Sequence, residues 1–138
     1  MIVYYRMGTP DQEAEARRLV DTFAAEVLPG WVQELTVRWS DDRDVNAQIF
    51  DDYHYRRVQI DLGASFFSQS RLERSRDFVH ELAHALQSPM TAFVSIAMPK
   101  GRGREGEALK ALYVEAMEAS CQDIADALWR RLKSLDSP

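Results

Sequence analysis

The chain reads as one α+β domain of 138 residues: a small mixed or antiparallel sheet of about four strands packed with three main helices. Three observations predict this. Short runs rich in β-branched and aromatic residues recur in the first half, several of them alternating with polar residues. Longer segments carry apolar residues at helical spacing and fill the second half. No internal repeat, low-complexity tract or linker divides the chain.

Ile2 to Arg6 predicts the first strand, and Gly8 breaks it. Thr9 is an N-cap candidate, with Pro10 at the first helical position and acidic residues just behind. Leu19, Val20, Phe23 and Val27 follow at helical spacing, so 10–28 predicts a helix that Pro29-Gly30 ends. Leu35, Val37 and Trp39 alternate with polar residues and mark a second strand. Segments 45–50 and 55–62 predict two more, a hairpin joined at Asp51-Asp52, and Gly63 stops the last strand. A second helix is expected over 69–87. A connector is expected over 88–104, where Pro89, Pro99, Gly101 and Gly103 surround an apolar middle. The last helix is expected over 105–135, striped by Met117, Cys121, Ile124, Leu128 and Leu135.

A formal net charge of -5 argues against general nucleic-acid binding. No apolar run is long enough to span a bilayer. The first ten residues lack a basic stretch followed by an apolar one, so the expected compartment is the cytoplasm. A single cysteine, Cys121, forms no internal disulfide and no cysteine-rich zinc knuckle. Any metal is therefore expected on histidine and carboxylate ligands. Cys121 itself reads as a buried structural thiol.

The chemistry concentrates in His80-Glu81-Leu82-Ala83-His84. Histidines four apart on a helix share one face, one turn apart, where both imidazoles reach one tetrahedral Zn²⁺. Glu81 sits about 100° round, beside the ion, where a carboxylate takes a proton from the activated water. Only three histidines occur, and two of them fall in this motif. His80 and His84 share their helix face with Glu73, Arg76, Asp77 and Gln87, away from the apolar arc of Phe78, Val79 and Leu82.

The segment Phe78-Val79-His80-Glu81-Leu82-Ala83-His84-Ala85-Leu86 resembles the active-site helix of the zincin metallopeptidases. The metzincin extension is excluded, because Gln87 stands where its glycine belongs and Met90 where its third histidine belongs. The chain is more similar to the gluzincins, the thermolysin-like group, and in size to minimal gluzincin-like peptidases of phages and bacteria. The resemblance covers roughly residues 55–130 and implies a zinc metallopeptidase with Zn²⁺ on His80, His84 and a glutamate from a later helix. Glu118 and Glu115 are the candidates for that glutamate. With Met117 at the centre of the apolar stripe, Glu118 lies about 100° round and Glu115 about 160°. Glu118 is therefore the favoured ligand and Glu115 the alternative.

The family often places an acidic residue four positions after the ligand glutamate, and here that position is Gln122. Asp77, one turn before His80, is a second candidate for supporting a ligand. His54 and Tyr113 are the candidates for steadying an oxyanion. The zincin pattern further implies that the strand before the motif helix, Arg57 to Leu62, rims the cleft and pairs with an extended peptide or protein substrate. The run from Lys100 to Arg104 reads as a solvated basic loop. The alternative reading is a non-catalytic, zinc-stabilised binding or regulatory module with the same fold.

Overall fold

The computed structural model describes residues 1–97 and 103–136. Four strands form a mixed sheet: β1 (Ile2–Arg6), β2 (Glu34–Trp39), β3 (Ala47–Asp52) and β4 (Arg57–Leu62), in the order β1-β2-β4-β3. β1, β2 and β4 run parallel, with Val3 opposite Leu35 and Val37 opposite Ile60. β3 runs antiparallel to β4, with Ile49 opposite Ile60.

Among the described residues, five α-helices accompany the sheet. α1 (Pro10–Leu19) starts on Thr9, whose hydroxyl accepts the Gln12 N–H, with Pro10 in the first turn. It passes through a π turn (Val20–Ala24) into the short α2 (Ala25–Val27). The short α3 (Ala64–Ser68) precedes α4 (Arg71–Ala97), and α5 (Arg104–Leu132) ends in a 3₁₀ turn at Lys133–Asp136.

The core is one slab between the sheet and the helices. Leu35 and Val37 of β2 and Val58, Ile60 and Leu62 of β4 meet Leu19, Phe23, Phe66, Phe78 and Leu82. The opposite sheet face carries Ile2, Tyr4 and Phe50 in solvent. Asp61 is buried yet satisfied, because Arg38 grips it at 2.8 and 3.1 Å and Gln59 at 2.9 Å. A second polar tie joins α1, α4 and the C-terminal turn. Arg18 bonds Asp136 and Glu15, Arg74 bonds Glu15 at 2.8 Å, and the buried Ser75 donates to Asp136 at 2.6 Å.

Three expectations change. The β3–β4 turn falls at 53–56 rather than at Asp51-Asp52, because the Asp52 carboxylate accepts the Tyr55 N–H at 3.2 Å and Arg56 takes a left-handed φ of 56°. The start of the expected connector is helix: α4 continues through Pro89 to Ala97. An internal proline costs about 3 kcal/mol, yet the helix runs on through it, and Ser88 beside the proline is buried. Residues 98–102, including most of the basic run, lie outside the described residues. Finally, β4 lies inside the sheet, with β3 at its edge.

Gly63 couples the sheet to the helix that follows. Its N–H donates to the Asn46 carbonyl at 2.8 Å, and a Cβ there would overlap the Val45 carbonyl oxygen. Gly63→Ala is expected to lose about 2–3 kcal/mol, read as a lower urea midpoint. An unchanged midpoint would mean that the 45–46 backbone is free to withdraw.

Candidate functional site

Packing sets the rotation of α4. Phe78, Val79, Leu82 and Ala85 sit in the main core, while Ala83 is buried against Cys121 and Ala125 of α5. This leaves His80, Glu81 and His84 half-buried at the margin of the core. The two imidazole rings stand 5.1 Å apart between centroids, nearly perpendicular at 80°. All three side chains open on a cavity of about 470 Å³ between β3, α4 and α5. Its walls include Gln48, Ile49 and Asp51 from β3, Gln87 and Thr91 from α4, and Tyr113, Met117 and Glu118 from α5.

Burial tunes the groups. The Glu81 carboxyl is pushed up to about 8, first by burial and then by the neighbouring charges of Glu118 and Asp77. A hydrogen bond from the Ile49 N–H pulls weakly the other way and ties Glu81 to the edge strand. Burial lowers the His84 pKa. Glu118 and Asp51 work against that, and His80 adds to it. The net effect favours the neutral imidazole at His84, the form a metal binds.

α5 brings two donors to the histidines. Glu118 Oε1 stands 3.7 Å from His84 Nε2, on a side chain 60% exposed at the rim. One turn on, Cys121 is fully buried. Its Sγ and a ring nitrogen of each histidine all lie within 4.8 Å of one another, and Glu118 falls outside this cluster. The thiol also approaches the His80 carbonyl oxygen at 3.7 Å. Its pKa is pushed up to about 12, by burial and then by Glu118 and Glu81.

The structure thus brings His80, Glu81, His84, Glu118 and Tyr113 to one cavity. The Tyr113 hydroxyl is buried there without a hydrogen-bond partner among the described residues, as is the Gln87 carbonyl oxygen. Such orphaned polar atoms in a cleft wall are available to a ligand. Glu115 is exposed and does not line the cavity. His54 is not brought in either. It sits exposed in the β3–β4 turn, its ring tilted against Tyr53 with centroids 6.0 Å apart. Asp77 and Gln122 border a smaller hollow of about 60 Å³ beside His80. Asp77 accepts from Asn46 at 3.1 Å and Gln69 at 2.9 Å, and Gln122 donates to Asp126 at 2.9 Å.

Two readings of the residues need correction. The strand that lines the cleft is the edge strand β3, not Arg57–Leu62, which is enclosed between β2 and β3. Cys121 is buried as expected, but it faces the imidazoles rather than apolar side chains alone. Its signal in the sequence is its place three residues after Glu118, on the same side of α5.

The donor set suits a transition metal. Two imidazoles, a thiol and a nearby carboxylate converge beside an open cavity, a chemistry that favours Zn²⁺ over the hard oxygen-seeking cations. Among the described residues, no helix is long and apolar enough to cross a membrane. Comparison with protein-family models, with curated proteins and with solved structures finds no match for this chain.

Proposed function

We propose that the chain is a zinc-dependent hydrolase, and specifically a zincin-like metallopeptidase. The observation that carries this reading is the convergence of His80, Glu81 and His84 with donors from α5 on one open cavity. His80 and His84 hold the ion, and Glu118 is the α5 carboxylate of the gluzincin pattern. Its 3.7 Å approach to His84 suits that role, because donors around a tetrahedral zinc stand about 3.3–3.8 Å from one another.

The zinc, when bound, supplies a Lewis acid that polarises the scissile carbonyl and acidifies water. The chain's own groups do the rest. Glu81 accepts the proton of the attacking water and delivers one to the leaving amine. The Ile49 N–H holds its carboxylate in place. The Tyr113 hydroxyl, without a hydrogen-bond partner among the described residues, is the candidate donor to the oxyanion. β3 is the edge strand along the cleft among the described residues, where an extended peptide adds as a further strand.

Protein purified without chelator is expected to carry one zinc per chain and to cleave casein or a peptide library until the metal is stripped. Loaded protein inert on both would support the non-catalytic binding module instead. A second expectation concerns α5. Glu118→Ala weakens zinc binding about 10-fold or more, on the scale of lost groups around a metal site. Glu115→Ala changes it little, because Glu115 points to solvent. Competition titration with a metallochromic dye measures both, and the reverse ranking would reassign the carboxylate.

A further inference from the structure

We propose that Cys121 is itself a ligand of the metal held by His80 and His84, taking the strong third position that the gluzincin pattern gives to a carboxylate. The inference rests on the zinc reading above and replaces its third ligand, with Glu118 kept beside the ion as a supporting carboxylate. Its basis is geometric. Cys121 is the α5 donor that forms a mutual cluster with both imidazoles, all three ligand atoms within 4.8 Å. Glu118 approaches His84 alone, from an exposed side chain. Zn–N bonds of about 2.0 Å and a Zn–S bond of about 2.3 Å put such donors about 3.3–3.8 Å apart. Side-chain rotation at the imidazoles closes the remaining gap of about 1 Å.

The surroundings fit. Cys121 packs with Ala83 and Ala125, small residues that let α4 and α5 approach closely enough for the sulfur to reach across. A thiolate is a soft donor suited to zinc. Binding breaks the S–H bond, forms the metal–sulfur bond and releases the proton to solvent. Three protein ligands then leave a fourth position open, as catalytic sites require. Glu118 becomes an outlying donor that yields this place to water or substrate.

The test titrates metal-free full-length protein with Co²⁺ under a non-chelating reductant. Wild type is expected to bind one Co²⁺ with intense tetrahedral bands and a thiolate-to-cobalt charge-transfer band in the near ultraviolet. Cys121→Ser is expected to bind Co²⁺ about 10- to 100-fold more weakly, without that band and with unchanged circular dichroism. X-ray absorption on the zinc-loaded wild type needs no variant, so it decides the matter even if the serine variant fails to fold. One sulfur at about 2.3 Å is expected. Cobalt bound with no charge-transfer band, or a zinc shell free of sulfur, overturns the cysteine ligand and leaves the zinc reading standing. Failure to bind Co²⁺ or Zn²⁺ at all overturns both.

Discussion

Glu81→Gln is expected to cut hydrolysis by about 10²–10⁴-fold, the usual contribution of a positioned general base, while zinc stays at one per chain. Glutamine keeps the shape of the protonated carboxyl and still accepts the Ile49 N–H, so the cleft wall is unchanged. What it loses is the capacity to take a proton. His80, His84 and Cys121, whose donor atoms cluster, are untouched by the change, so metal content should hold. The measurement is kcat/KM on a peptide that wild type cleaves, with metal content determined on the same sample. Unchanged turnover would remove Glu81 from the chemistry. Loss of zinc along with turnover would make Glu81 a structural support of the centre.

The parts of this fold legible in the sequence are those that local chemistry decides. The Thr9-Pro10 start of α1 rests on one hydroxyl and one missing N–H. The alternation at Leu35, Val37 and Trp39 and the His80–His84 spacing are likewise local patterns that need no partner to be read. What escaped depends on contacts between distant segments. Nothing in 45–62 says which strand of the hairpin pairs with β2, and the zincin pattern puts the enclosed β4 at the cleft that β3 in fact lines. The helix through Pro89 runs against the propensity of that residue, so a local reading ends it there. Cys121 is the plainest case. On an apolar stripe a structural thiol and a ligand thiol look alike, and only the crossing of α5 over α4 turns this sulfur towards His80 and His84.

The same burial that tunes Glu81 should make the metal-free protein lose stability as pH rises. The folded state raises its pKa from an ordinary 4.5 to about 8, chiefly by burial and then by the Glu118 and Asp77 charges. The folded state therefore prefers the protonated carboxyl. That preference is fully present below pH 4.5, erodes as pH climbs, and is gone above about 8. At roughly 1.4 kcal/mol per pK unit the loss is on the order of 5 kcal/mol. His84, whose folded pKa is lowered, pulls the other way below its ordinary 6.5, so wild type alone would blur the effect. The difference between wild type and Glu81→Gln cancels it, since both keep His84. Chelator-stripped samples of the two should melt together near pH 5. By pH 9 the variant should be the more stable, by on the order of 10 °C. Parallel curves across that range would mean that Glu81 gains enough water in the open cavity to ionise freely. A bound divalent cation beside the carboxyl favours its charged form, so loading with zinc should flatten the wild-type curve. The buried carboxyl that weakens the empty chain at high pH is then held in the state its role as a base demands.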